Sequence, residues 1–282
     1  MKKTISGILF ALALIFTALP TYAASIQIKV DSVAIASDVE PENMNNRTMV
    51  PLRVISENLG AQVNWTGSEV TLSKSDIQIV LKVNSDTAVK NGNTINLDTK
   101  PYIKKERVMV PLRFIAETFN ADVNYKDSNV TVDTEPLVIN GVKVKAVQQE
   151  YHMTMGGILQ QIKGNTYSKA IYEVFLENKG INAETPASYS WMVDIDTPGA
   201  YYKNGQYDFL NLNGNSIQRY DIYTLIESHP AEILAEYPKV LIYDATVDQW
   251  NLFSNSAVES LNQLIDTAAK NGFLTVISNT VV

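Results

Sequence analysis

An internal duplication constrains this chain more than any other feature. A segment that starts at Arg47 and reads Arg-Thr-Met-Val-Pro-Leu-Arg-Val-Ile-Ser-Glu returns at Arg107 as Arg-Val-Met-Val-Pro-Leu-Arg-Phe-Ile-Ala-Glu. Residues 47–72 align with residues 107–132 without a gap, and about half of the aligned positions are identical. A repeat of this length is one supersecondary unit, so the fold must contain two copies of that unit.

Each copy predicts a strand, a short helix and a hairpin. The residue before the proline is driven into extended backbone, and the proline suits the first position of a helix. Apolar residues then recur at helical spacing, while an arginine and a glutamate one turn apart can pair on the solvated face. Glycine in one copy and asparagine in the other end the helix in left-handed backbone. The residues that define the unit are Arg47, Val50, Pro51, Leu52, Arg53, Glu57, Gly60 and Trp65 in the first copy, and Arg107, Val110, Pro111, Leu112, Arg113, Glu117, Asn120 and Tyr125 in the second.

The segments around the copies predict further strands. Residues 26–35 alternate apolar and polar side chains around a turn at Asp31-Ser32, and residues 77–83 alternate in the same way. Asn91-Gly92 is a strong hairpin turn between residues 87–90 and 93–97. We therefore expect an α+β fold in which each copy of the duplicated unit is a strand, a short helix and a hairpin.

Residues from about 26 to 134 resemble the stalk-type domain named after the N-terminal domain of copper amine oxidases. The resemblance rests on Met-Val-Pro-Leu-Arg, a short helix and an Ala-x-Val-x-Trp/Tyr hairpin, all present twice. It implies that the duplicated unit forms an antiparallel sheet packed on short helices, with a structural role for the motif residues. It also implies an exported protein of a kind found largely in Gram-positive bacteria. In copper amine oxidases the chemistry belongs to a separate domain with three copper-binding histidines. This chain has only His152 and His229, so amine oxidase activity is excluded and no cofactor or metal is expected.

The first residues are typical of a secretory signal peptide. Two lysines precede a short apolar run, and Thr21-Tyr-Ala23 supplies small residues at a cleavage site. We expect residues 1–23 to be removed, and the protein to be secreted, either extracellular or associated with the cell wall. The absence of cysteine excludes disulfides and thiol chemistry. A net charge of −7 argues against nucleic acid as a partner, and no later stretch is long enough to span a membrane.

Residues 24–134 are predicted to form one domain and residues 135–282 a second α+β domain of no recognised family. In the second domain the pattern predicts a short helix within residues 148–163, a strand over 169–177 and a strand over 189–195. Further elements are expected at residues 230–237 (helix), 239–243 (strand), 257–271 (helix, capped by Ser256) and 273–277 (strand).

Three groups of side chains are candidates for function. His152 beside Met153 and Met155 has the composition of a soft copper site, although a core stripe of methionines is favoured. The carboxylates Asp194 and Asp196, with Asp208 or Asp221, suit calcium or acid–base chemistry, although solvated aspartates are favoured. The third group is aromatic and suits either ligand binding or a second core: Trp191, Tyr201, Tyr202, Tyr207, Phe209, Tyr220 and Tyr223.

Two hypotheses of function follow. The preferred one is a secreted, non-catalytic envelope or extracellular protein in which the stalk-type domain carries a module that binds cell-wall glycan or an extracellular protein. The alternative is an extracellular hydrolase or hydrolase regulator with its site around Asp194, Asp196 and His229.

Overall fold

A computed structural model describes residues 26–153 and 155–281; the predicted signal peptide lies outside them. The fold is α+β with several antiparallel sheets, as predicted. The first part contains β1 (Gln27–Val30), β2 (Val33–Ala34), β3 (Glu42–Met44), β4 (Arg47–Pro51), α1 (Leu52–Asn58), β5 (Gln62–Thr66), β6 (Glu69–Lys74), β7 (Ile77–Lys82), β8 (Thr87–Lys90), β9 (Asn93–Asn96), β10 (Tyr102–Lys104), β11 (Arg107–Pro111), α2 (Leu112–Thr118), β12 (Asp122–Lys126) and β13 (Asn129–Asp133). The second part contains β14 (Val138–Ile139), β15 (Val142–Met153), β16 (Gly156–Ile162), α3 (Asn165–Asn178), β17 (Tyr189–Ser190), β18 (Tyr201–Asn211), β19 (Ser216–Leu225), α4 (Ala231–Leu234), β20 (Val240–Asp244), β21 (Gln249–Phe253), α5 (Asn255–Lys270) and β22 (Leu274–Asn279).

The duplication is a local twofold arrangement in space. β4 and β11 pair antiparallel at the centre of a four-stranded sheet, with Val50 opposite Val110. The helices that follow, α1 and α2, have the same order of buried and exposed residues. Gly60 and Asn120 end them with φ of 80° and 58°, the left-handed backbone that the sequence predicts.

The two hairpins of the duplicated unit lie in different sheets. The hairpin β5–β6 continues through β7, β8 and β9 into a five-stranded antiparallel sheet. The hairpin β12–β13 instead pairs with β1, and β1 runs parallel to β13. The third strand thus differs between the copies: β7 follows the first hairpin in sequence, whereas β1 lies far from the second hairpin in sequence. An alignment of the two copies contains no information about these partner strands.

The second part is organised around a sheet in the order β21-β20-β19-β18-β15-β16-β22. Helices α3 and α5 pack on one face of this sheet through Ile171, Phe175, Leu261 and Ile265, which are buried. The core is one continuous cluster of buried apolar side chains that includes residues of both halves. The chain passes from one sheet to another between β13 and β15. The division into two domains stays a prediction.

Several local predictions in the second half are wrong. The methionine-rich stretch forms the hairpin β15–β16 with no helix in its described part. Residues 169–177 belong to α3, because Tyr167, Ile171 and Phe175 bury one helical face, and this spacing outweighs the short alternation. Residues 189–195 form a bent loop after the two-residue strand β17.

Helix positions in the last third are closer to prediction. α5 is capped by Ser254, whose side chain accepts a hydrogen bond from the amide of Ala257 at 3.1 Å, and Ser256 lies inside the helix. α4 has the predicted position but only four residues. Within residues 26–153 and 155–281, no helix has the length and apolar character needed to cross a membrane.

A carboxylate joins the two halves. Asp31, in the turn after β1, accepts hydrogen bonds from the amide and hydroxyl of Thr134 and from the amide and side chain of Asn165, at 2.8 to 3.1 Å. Asn165 opens α3, so this single side chain holds the first strand, the connection and the first helix of the second half together. Gly60 lies against Thr166 in the same region.

Candidate recognition surface

One face of the sheet in the second half is not covered by α3 and α5, and the four-residue helix α4 packs on this face through Leu234. Side chains alternate between faces along a strand, so Tyr220 and Ile222 of β19 belong to the core beneath α3 and α5, whereas Tyr223 belongs to a separate cluster on the other side. Asp221 lies on the same side as Tyr223. This second face carries the charged groups of β15, β18 and β19, with the chain between α3 and β18 lying across it.

A buried ion cluster stands at the centre of this face. Lys203 Nζ lies 2.9 Å and Arg219 Nη2 2.8 Å from Asp221 Oδ2, and the exposed fractions of Lys203 and Asp221 are 5% and 1%. Burial lowers the pKa of Lys203, and the hydrogen bond to Asp221 raises the pKa of Arg219. Gln206 continues the network by accepting from Lys203 and donating to Asp208 at 2.7 Å. The cluster is neutralised from within and is therefore suited to fixing the sheet rather than to attacking a substrate.

Trp191 is clamped against this cluster. Its ring stacks on His152 with 4.2 Å between centroids, and Lys203 Nζ lies 4.6 Å from the indole centroid. His152 is itself held by Glu150, with 2.8 Å between Nε2 and Oε1. His152 is thus fixed on its ring face by Trp191 and at its edge by Glu150. In this arrangement His152 positions the loop that bears Trp191.

The predicted methionine core stripe is wrong. Met153 and Met155 are 55% and 63% exposed, because they lie at the tip of the β15–β16 hairpin. No group of three metal-ligating His, Asp or Glu side chains occurs among the residues that the structure describes.

The aspartates of the alternative hypothesis have separate roles. Asp194 accepts hydrogen bonds from Ser188 Oγ at 2.7 Å and from the amides of Asp196 and Thr197, and the bond from Ser188 is the main cause of its lowered pKa. Asp208 accepts from Ser216 and Gln206 within the sheet. Asp221 belongs to the ion cluster described above.

One contact brings part of that hypothetical site together. Ser228 Oγ donates to the carbonyl of Ile195 at 3.0 Å, so the Asp194–Asp196 segment lies beside the segment that leads to His229. His229 is half-buried, and its Nε2 is buried without a hydrogen-bond partner in the described part of the chain. The carboxylates of Asp208 and Asp221 are not part of this group, since they are bonded on the sheet.

The aromatic cluster is mainly core, as one of its two interpretations predicts. Tyr207, Phe209 and Tyr220 pack beneath the helices, and Tyr201 and Tyr223 are buried on the opposite side. Tyr202 and Trp191 are half-buried. Tyr202 donates its hydroxyl to the carbonyl of His152 at 2.6 Å, next to the Trp191 clamp.

The most exposed apolar feature of this face escaped sequence reasoning. Residues 188–197, named here the recognition loop, present Met192, Val193 and Ile195 with 78%, 62% and 60% of their surfaces exposed. The loop is nevertheless held by its own polar groups: Ser190 Oγ accepts from the amide of Met192 at 3.0 Å, and Asp194 accepts from the two amides that follow it. Serine and aspartate that bond the backbone two residues on are the sequence signal that could have identified this turn.

The repeat motif residues lie where a structural role requires. Six of them are buried at the twofold centre: Val50, Pro51, Leu52, Val110, Pro111 and Leu112. The helix pairs are exposed, with 3.6 Å from Arg53 to Glu57 and 3.7 Å from Arg113 to Glu117.

The remaining motif residues lie at the surface. Arg47 bonds Asp98 at 2.6 Å and Arg107 bonds Asp38 at 2.7 Å. Trp65 is 47% exposed; among the residues described, the only other hairpin aromatic of the motif is Tyr125, which is 44% exposed.

Comparison with known proteins supports the resemblance. Residues 27–134 match the family described as the copper amine oxidase N-terminal domain, so this segment is similar to that domain. A curated protein of Brevibacillus choshinensis named "Protease inhibitor" is 29% identical over 118 residues, which is 41% of this chain and 36% of that protein. The chain therefore matches only about a third of the length of that relative. No solved structure matches the chain.

Proposed function

We propose that this protein is a secreted, non-catalytic binding protein of the cell envelope or extracellular space. Its copper amine oxidase N-terminal-type domain would support the second half, and the second half would bind an extracellular protein. The sequence of residues 1–23 supports export, and the matched family supports a non-catalytic first domain.

The observation that carries the proposal is the recognition loop. When the backbone of a loop is already fixed, its apolar tip binds a partner with a smaller loss of conformational entropy. The free energy of ordering the loop on binding is therefore small. Here the Trp191 clamp holds the base, and Ser190 and Asp194 hold the backbone on both sides of Val193. Such a loop fits an apolar cleft of a partner protein.

The engagement of the aspartates supports binding rather than hydrolysis. A general base must be open to a substrate and have a pKa near the working pH, which for a carboxylate means a raised pKa. Asp194 has a lowered pKa and three hydrogen-bond donors from its own loop. This is the state of a structural carboxylate.

Inhibition of an extracellular protease is the second candidate, and it is a form of the predicted hydrolase regulator. Two observations favour it: the relative from Brevibacillus choshinensis has the name "Protease inhibitor", and the recognition loop is exposed yet braced. A braced loop that enters a protease cleft resists cleavage because its backbone cannot relax into a productive geometry.

Both candidate functions, protein binding and protease inhibition, are tested with purified protein of residues 24–282 and one pair of variants. The triple variant Met192→Ser, Val193→Ser, Ile195→Ser removes the apolar tip, and Leu212→Ser, 68% exposed on the β18–β19 turn, is the matched control. Serine, metallo- and cysteine endopeptidases are assayed on casein. Inhibition that the triple variant lacks and the control retains supports the second candidate.

The first candidate is tested with proteins of a Gram-positive culture medium, using cross-linking at the loop and mass spectrometry. We expect one protein partner whose cross-link yield falls at least tenfold in the triple variant and not in Leu212→Ser. Equal capture by both variants, or hydrolysis of casein or glycan by the protein itself, would contradict the proposal.

A further inference from the structure

An open groove lies where the two repeat copies meet, in the first half of the chain. It has a volume of about 530 Å³, and its apolar lining includes Pro51, Val63 and Val108. The indole of Trp65 forms one side, and Ile103 of β10, which is 59% exposed, contributes to the lining. A large exposed aromatic in an apolar groove is unusual on a surface that has no ligand to cover it.

The twofold arrangement provides an internal comparison. Across it, Trp65 corresponds to Tyr125, and Ile103 corresponds to Asn43. At the second position the guanidinium of Arg113 lies 5.0 Å from the centroid of the Tyr125 ring and covers it. Of the described residues, no cation covers Trp65 in this way. The two aromatic rings are similarly exposed, but the surroundings are apolar in the first copy, where Ile103 replaces Asn43, and in the second copy a cation lies over the ring.

The rim of the groove is charged. Arg53 and Arg107 line it, together with Glu106. Arg53 lies 3.6 Å from Glu57, whereas Arg107 donates from Nε and Nη2 to Asp38 and from Nη1 to the carbonyl of Glu106, which leaves two of its N–H groups for a ligand. Since a guanidinium has five N–H donors, both can also bind a carboxylate of a ligand. Glu106 is suited to accept a hydroxyl or acetamido N–H.

We infer that this groove binds an N-acetylated amino-sugar chain that carries carboxylates. The apolar face of a pyranose ring packs on an indole, and an acetamido methyl group suits the lining formed by Val63 and Val108. Two arginines and one glutamate at the rim match carboxylates and hydroxyls better than they match an apolar or proline-rich peptide. This inference depends on the proposed export in one respect only: an exported protein would meet such a glycan in the cell wall.

The test is a calorimetric titration of residues 24–282 with two soluble probes. One is a disaccharide-peptide released from peptidoglycan, and the other is the neutral tetramer of N-acetylglucosamine. We expect binding of both, tighter for the carboxylate-bearing probe. Trp65→Ala should weaken both at least tenfold, whereas Tyr125→Ala, the equivalent truncation in the other copy, should leave both unchanged.

Arg107→Gln should remove the preference for the carboxylate-bearing probe while binding of the neutral tetramer persists. Ile103→Asp, at an exposed position of the edge strand β10, gives a second loss-of-binding variant if Trp65→Ala unfolds. The inference is overturned if neither saccharide binds, if Tyr125→Ala weakens binding as much as Trp65→Ala, or if only a proline-rich peptide binds. Retention in the cytoplasm would refute the export proposal without altering this titration.

Discussion

The carboxylate of Asp31 gives the sharpest stability prediction, because it joins the two halves through one side chain. It accepts from four donors, two on Thr134 and two on Asn165. Asp31→Asn preserves the size of the side chain and tolerates the φ of 48° at this position. The amide removes the charge and one acceptor, so at least one donor loses its partner and the remaining hydrogen bonds are no longer made to a charged group.

Hydrogen bonds to a charged group contribute about 1.5–3 kcal/mol each, and the half-buried position of Asp31 reduces this. We expect Asp31→Asn to lower the free energy of unfolding by about 2–4 kcal/mol. Equilibrium unfolding in urea, followed by tryptophan fluorescence and far-ultraviolet circular dichroism, measures the change. Asp76→Asn, at an exposed turn, is the control. A loss below about 0.5 kcal/mol would refute the assignment of Asp31 as the junction of the two halves.

Three further predictions concern separate features. Gly60→Ala should lower the thermal midpoint more than Gly67→Ala does. Both glycines have positive φ, but a new Cβ at Gly60 would lie 2.5 Å from Thr166, whereas a new Cβ at Gly67 would meet nothing within 4 Å. Equal thermal midpoints would contradict the contact at Gly60. Burial raises the pKa of Tyr201 from 10.0 to about 12, so its neutral hydroxyl contributes stability below pH 10 that is lost as the pH rises towards 12. Tyr201→Phe should therefore reduce the fall of the thermal midpoint between pH 10 and 12. An unchanged slope of the thermal midpoint against pH would contradict this prediction. Trp191→Ala should speed amide exchange in the recognition loop at least tenfold without changing exchange in the first half, and protection equal to the unmodified loop would refute the clamp.

The duplicated unit could be predicted from sequence because each of its boundaries has a local chemical cause. A proline begins each helix, and Gly60 and Asn120 end the helices in backbone that few other residues adopt. The partner strands could not be predicted in the same way, since the pairing of β1 with β13 joins segments a hundred residues apart.

The second half shows why local patterns fail. The alternation of Tyr172, Val174 and Leu176 predicts a strand, but Leu176 is 51% exposed, and the buried face is set by Ile171 and Phe175. Which spacing prevails depends on the sheet that the segment packs against, and that sheet is assembled from distant strands.

The candidate surfaces were beyond sequence reasoning for a related reason. The Trp191 clamp needs His152 and Lys203, which reach the loop only when β15 and β18 pair. The groove beside Trp65 is lined by Ile103 of β10, which pairs with β11 of the second repeat copy, so its shape depends on the twofold contact between β4 and β11.

Fractionation of a Gram-positive host that expresses residues 1–282 tests the central proposal, an exported and non-catalytic binding protein, most directly. The protein is quantified in medium, wall, membrane and cytoplasm, and its mature N-terminus is determined by mass spectrometry. The account predicts a chain that begins at Ala24, found in the wall and medium, with Trp65→Ala shifted from wall to medium. Unprocessed protein that stays in the cytoplasm would contradict it.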